Sequence, residues 1–132
     1  MAMKKFYVGI KGFIHTDKGI LIIQHAEGHW DIPGGRMDDD EDFEETLRRE
    51  LSEEVPGCEL MSVGEMQGAF RLHKDIVNDI SLVLVYFLVE AKVPEVIKFS
   101  EEHTKHLWIN SEEDIPTEVN PEMKKILVKL TT

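Results

Sequence analysis

"GGRMDDDEDFEETLRRELSEEV" occupies residues 34–55, and ten carboxylates fall between Asp38 and Glu54. Like charges at that density repel one another, so their placement decides what the segment is. Phe43, Leu47, Leu51 and Val55 recur at every fourth position, which predicts a helix over Glu41–Val55 with one apolar stripe. Asp39 or Asp40 is the expected cap. Asp42, Glu44 and Glu45 suit the positive end of the helix dipole, and Pro56 and Gly57 stop the helix. With an advance of about 100° per residue, Glu50 and Glu54 fall within about 20° of the Phe43 direction and Glu53 about 80° to one side. Glu50, Glu53 and Glu54 therefore project together along the margin of the buried stripe. The other acids belong to the first turn or the loop before it, where solvation and the dipole account for them.

Three ionised carboxylates beside a core repel each other and lose hydration. Spacing alone leaves two explanations open. One is a solvated, glutamate-rich face. The other is a bound divalent cation, which hard oxygen ligands would make Mg²⁺ or Mn²⁺ rather than zinc. A calcium loop built on Asp38, Asp40 and Asp42 is excluded, because Phe43 takes the place of its turn glycine and Arg49 that of its final glutamate.

The rest of the chain sets the frame for this segment. At 132 residues, 42% hydrophobic and 31% charged, it reads as one globular domain over residues 1–132. A net charge of −11 argues against general nucleic-acid binding and against an anionic membrane surface. It is also awkward for handling phosphates unless bound cations reverse the local sign. A single cysteine, Cys58, leaves no internal disulfide and no multi-cysteine zinc site. Lys11 interrupts the apolar run that follows Lys4 and Lys5, and no run approaches membrane-spanning length. The expectation is a cytoplasmic protein without a membrane partner.

Tyr7, Val8, Ile10, Phe13 and Ile14 form a β-rich run, and the turn at Thr16–Gly19 joins it to the apolar strand Ile20–His25 as a hairpin. "EGHWDIPGG" reads as a loop. "LMSVGEMQGAF" and "DISLVLVYFLVEAKV" read as strands; the second is apolar almost without break from Ile80 to Val89, as expected of a central strand covered on both faces. "HLWIN" is a further short strand. Asn120 and Pro121 open a terminal helix whose buried stripe is Met123, Ile126, Leu127 and Leu130. Strands with helices on either side imply an α/β chain with one mixed sheet between helices.

Gly35, five residues, Glu41, seven residues and then "RELSEE" (Arg49–Glu54), preceded by "WDIPGG", resembles the box of the Nudix hydrolases. The resemblance implies an α/β/α sandwich whose loop–helix–loop segment holds a catalytic divalent metal. It implies hydrolysis of a nucleoside diphosphate linked to another group. Carried onto this chain, it makes Glu50, Glu53 and Glu54 metal ligands, joined by the backbone carbonyl of Gly35. Arg49 would pair with Glu41 to hold the segment in shape. "EHTKHLW" is similar to the family's late loop, which points to Glu102 as a further ligand or general base, with Glu101 as its rival. One departure stands out: Pro56 replaces the usual box glycine, with Gly57 one residue later.

A phosphoanhydride resists hydroxide because its oxygens are negative. The implied Mg²⁺ or Mn²⁺ would neutralise them and acidify a water, with Glu50, Glu53 or Glu102 accepting the proton. Arg36 or Arg71 would stabilise the leaving phosphate, though both also suit a plain surface role. The chain has neither the proline nor the tyrosine that ADP-ribose and dinucleoside polyphosphate hydrolases tend to carry near Leu72 and His73. Its size is similar to that of MutT-type enzymes, so the expected substrate is a nucleoside triphosphate, giving a nucleoside monophosphate and pyrophosphate. The alternatives are an ADP-ribose or nucleotide-sugar hydrolase, or a non-catalytic nucleotide-binding module. Trp30, Phe70 and Tyr86 could stack a base but suit the core, and His73, His103 and His106 read as surface or loop residues. The expected partner is a small-molecule nucleotide, and the chain is expected to be a monomer or homodimer.

Overall fold

Alternation of apolar side chains sets the architecture. In β2 (Gly19–His25), Ile20 and Ile22 point to one face of the sheet while Leu21 and Ile23 point to the other, and all four are fully buried. Such a strand is stable only with cover on both sides. The cover comes from α1 (Phe43–Glu54), whose Leu47 and Leu51 join Leu21 and Ile23, and from α2 (Pro121–Leu130), whose Met123 and Leu127 join Ile20 and Ile22. The result is the expected α/β/α sandwich. The structure is a computed structural model and describes residues 3–72, 76, 79–98 and 103–132.

The described residues form a seven-stranded sheet. β1 (Lys5–Thr16) runs parallel to β6 (Ile80–Lys92), in register from Lys5↔Ile80 to Ile14↔Val89. Every other pairing is antiparallel: β1 with β2 and with β4 (Gly34–Arg36), β2 with β3 (Trp30–Asp31) and β7 (His103–Ile109), and β5 (Glu59–Arg71) with β6. The sheet is therefore mixed. In β6, Val85 and Val89 face α1 while Leu84 and Tyr86 face α2, so its unbroken apolar run has the two-sided burial that the sequence suggests.

The sequence expectations hold at α2. The Asn120 side chain accepts a hydrogen bond from the Glu122 N–H at 2.8 Å, and Pro121 takes the first turn. They need correction elsewhere. Asp42, not Asp39 or Asp40, caps α1, because only Asp42 has a glutamate three residues on: it accepts from the Glu45 N–H at 2.8 Å, and the Glu45 carboxylate accepts from the Asp42 N–H at 3.1 Å. Phe43 is half exposed and leans on Phe87 at 5.5 Å, since the first helical turn lies at the rim of the core. The expected loop before the acidic segment contains β3 and β4. His106 sits in β7 and is partly buried, not in a loop. Gly57, with φ 90°, supplies the left-handed turn that Pro56 cannot, so the departure from the usual glycine leaves the exit of α1 intact.

Candidate active site

The site is built where β4 passes beneath α1. Antiparallel pairing of Lys11↔Gly34 and Ile10↔Gly35 fixes the two glycines against β1. Gly34 has φ 145°, and a Cβ there would collide with the Ile10 carbonyl, so no other residue fits. At Gly35 a Cβ would enter the carboxylate of Glu50. Glu50 therefore lies directly on bare backbone, an approach that only glycine permits.

Arg49 organises the acids around this contact. Its Nε donates to Glu41 Oε2 at 2.7 Å and its Nη2 to Glu41 Oε1 at 2.8 Å, a two-point fork. The same Nη2 donates to the Arg36 carbonyl at 2.9 Å, and Nη1 to Glu50 Oε1 at 2.7 Å. One guanidinium thus ties the loop before α1, the end of β4 and the helix itself together. Glu41 lies before the Asp42 cap rather than within the helix, yet the expected Arg49–Glu41 pair forms. Hydrogen bonds from Arg49 and from the backbone of Asp38 hold the Glu41 carboxyl down at about 2. The bonds to Glu41 and Glu50 raise Arg49 above the ordinary arginine range, despite its partial burial.

The three glutamates differ in environment. Glu50 has 16% of its side chain exposed and is engaged by Arg49; Glu53 has 60% exposed, with only a 3.7 Å approach to Arg49. Glu54 turns inward and accepts from the Gly34 N–H at 3.3 Å. Burial pushes its carboxyl up to about 8, an effect that Lys11 opposes and Glu50 reinforces. Glu50 and Glu54 thus converge on the glycine pair from one helix end, while Glu53 faces solvent. Among the described residues no three such side chains close on a single point. The donor set still suits a hard divalent cation. Hard carboxylate oxygens flank bare glycine backbone, and burial raises the inward carboxyl, a cost that a bound cation removes.

The predicted arginines lie at the margins. Arg36 stacks over Tyr7 at 4.6 Å and Arg71 over Phe6 at 5.0 Å. Glu102 and its rival Glu101 lie outside the described residues, as does His73. Of the aromatics, Tyr86 is buried and Phe70 and Trp30 half-buried.

Lys11 is the participant that the sequence reading missed. Its ammonium donates to Asp31 Oδ2 at 3.0 Å and approaches the carbonyls of Ile32 and Gly34 at 3.5 Å. Burial works to lower its pKa, but Asp31, Glu54 and Glu50 together outweigh that and raise it. The signal was present: a lysine inside an apolar strand must find carboxylate partners. Lys11 and Asp31 also line a cavity of about 450 Å³ on the α2 face, bounded by Trp30, Leu84, Tyr86 and Asn120.

The NUDIX domain family matches residues 5–130. The chain is similar to the asymmetrical bis(5'-nucleosyl)-tetraphosphatase of Mus musculus, 32% identical over 81% of this chain and 74% of that protein. It is also similar to the 8-oxo-dGTP diphosphatase of Proteus vulgaris, 33% identical over 42% of this chain and 54% of that protein. The MutT protein of Methanosarcina mazei Go1 shares the fold, with a TM-score of 0.77 and 23% identity over 96% of this chain and 94% of that one.

Proposed function

The chain belongs to the NUDIX domain family of phosphoanhydride hydrolases, and we propose that it is a divalent-metal-dependent pyrophosphohydrolase that cleaves a nucleoside triphosphate to nucleoside monophosphate and pyrophosphate. The observation that carries this reading is the Glu50 carboxylate seated on Gly35, with Glu54 on the adjoining Gly34 N–H. Glu50, Glu53, Glu54 and the Gly35 carbonyl would hold Mg²⁺ or Mn²⁺. A divalent cation there supplies charge neutralisation at the phosphates and acidifies a water.

This chain's own residues do the rest. Arg49 and Glu41 fix the height of α1 over β4, so the carboxylates stand at a set distance from the glycine backbone. The attacking water forms a new O–P bond and gives its proton to a carboxylate of the set Glu50, Glu53 and Glu102. The bridging P–O bond breaks, and its electron pair leaves with the departing pyrophosphate or nucleoside monophosphate. Arg36, next to Gly35 in the chain and stacked on Tyr7, would meet that charge on leaving the ring, and Arg71 is the second candidate.

The cavity beside Lys11 favours one nucleoside. Its volume of about 450 Å³ is at the small end for ligand sites, and its walls mix Trp30, Tyr86 and Leu84 with Asp31, Glu118 and Asn120. The likeness to a tetraphosphatase favours a second reading, a dinucleoside polyphosphate whose other nucleoside would lie outside this cavity. Incubation with Mg²⁺ and nucleoside triphosphates, ADP-ribose, sugar nucleotides and dinucleoside tetraphosphates, with products separated by anion exchange, decides between them. The first reading requires triphosphates to be turned over most efficiently, with pyrophosphate as product. Preferred release of a triphosphate and a monophosphate from dinucleoside tetraphosphates would install the second. No turnover of any of them would remove both.

A further inference from the structure

The acids of the site must be electrically tolerable when no cation is bound. Arg49 answers for Glu50. Lys11 stands on the other side. Its ammonium approaches the carbonyl of Gly34 at 3.5 Å, while Glu54 accepts from the N–H of that same residue at 3.3 Å. Lys11 also faces the cavity beside β3, where it is the one lysine or arginine among the described lining residues. The other charged groups of that cavity, Asp31 and Glu118, are acidic, and the chain carries −11 overall. A polyanionic nucleotide in this cavity would be repelled by Asp31 and Glu118 and attracted by Lys11.

We propose that Lys11 is a substrate-binding residue that exchanges partners: its ammonium stands beside Glu54 across Gly34 when no divalent cation is bound, and contacts the phosphate chain of the nucleotide once a divalent cation takes its place. This rests on the reading of the site given above. The chemistry is consistent at each stage. Without the ion, Lys11 stands across Gly34 from the inward carboxyl and favours its ionised form. With the ion, two cationic charges beside Glu54 repel, and the flexible four-carbon stem lets the ammonium turn toward the cavity. Asp31, at 3.0 Å, restrains it there and sets how far it swings. Lys11 lies between the cavity and the glycine pair, so its reach coincides with the phosphates that join a nucleoside in the cavity to the reacting centre.

The test combines two readouts on Lys11→Met and Lys11→Gln, with Lys11→Arg as the charge-conserving control and thermal melts to confirm folding. The first is Mn²⁺ binding without nucleotide, followed by the paramagnetic resonance of the free ion. Removing the ammonium tightens Mn²⁺ binding by about threefold or more, since a competing cation is gone. A residue that merely supported the fold would weaken it or leave it unchanged. The second is steady-state kinetics with Mg²⁺, in which KM rises by about tenfold and kcat changes by less than about threefold, and Lys11→Arg restores most of the loss. Unchanged or weaker Mn²⁺ binding in folded variants overturns the proposal, as does an unchanged KM. Failure of the wild-type protein to bind Mn²⁺ or turn over any nucleotide would instead defeat the reading of the site itself.

Discussion

Arg49 and Glu41 meet in a two-point ion pair, at 2.7 and 2.8 Å, that bridges the loop before α1 and the middle of the helix. The pair leaves a signature in the dependence of stability on pH. The Glu41 carboxyl is held at about 2, against an ordinary value of 4.5. A depressed carboxyl contributes stability in full above its unfolded value and loses it as pH falls toward its folded value. The difference in melting temperature between the wild-type protein and Glu41→Gln is therefore expected to be constant near neutrality, to shrink from about pH 4.5 downward and to vanish near pH 2. A difference that persisted unchanged at pH 2 would show that the pair contributes nothing through charge.

Gly35 admits the Glu50 carboxylate only because it lacks a Cβ. Gly35→Ala is expected to displace that carboxylate and reduce turnover by about 100-fold while lowering stability modestly, as displaced metal-site groups typically do. Gly34→Ala should behave differently. It meets the Ile10 carbonyl at a φ of 145°, so it is expected to cost about 1–3 kcal/mol of stability as well as activity. Denaturant melts alongside kinetics separate the two; equal losses of stability would contradict the distinction.

The helix that carries the acids is anchored by its cap and its stripe. Asp42→Ala removes the acceptor for the Glu45 N–H and is expected to cost about 1 kcal/mol. Leu51→Ala opens a void in the fully buried cluster between α1 and the sheet and is expected to cost about 2–5 kcal/mol. Urea melts that ranked Asp42→Ala as the more damaging would contradict this account of α1.

What the sequence disclosed follows from the range of the interactions concerned. The stripe of α1, the Asn120–Pro121 start of α2 and the Glu50–Glu53–Glu54 spacing are local, and a helix repeat is enough to read them. The fork between Arg49 and Glu41 was expected from the family resemblance and not from the helix repeat, since Glu41 lies outside the helix. The partners of Lys11 were hidden because Gly34 reaches it through the pairing of β1 with β4 and Asp31 through that of β2 with β3, which no spacing along the chain reveals. Short strands inside "WDIPGG" were missed for a related reason: Trp30–Asp31 and Gly34–Arg36 become strands by binding β2 and β1, not by any propensity of their own.

The central claim, that Glu50, Glu53 and Glu54 grip a divalent cation that turns water on a phosphoanhydride, is tested most directly by calorimetric titration of Mn²⁺ with a non-hydrolysable nucleotide present. Wild-type protein is compared with Glu50→Gln, Glu53→Gln and Glu54→Gln, each shown to be folded. The account predicts saturable binding to the wild-type protein and affinity weaker by about 10- to 100-fold in each variant, the range that loss of a site carboxylate commands. Equal Mn²⁺ affinity in the wild-type protein and all three variants would contradict it.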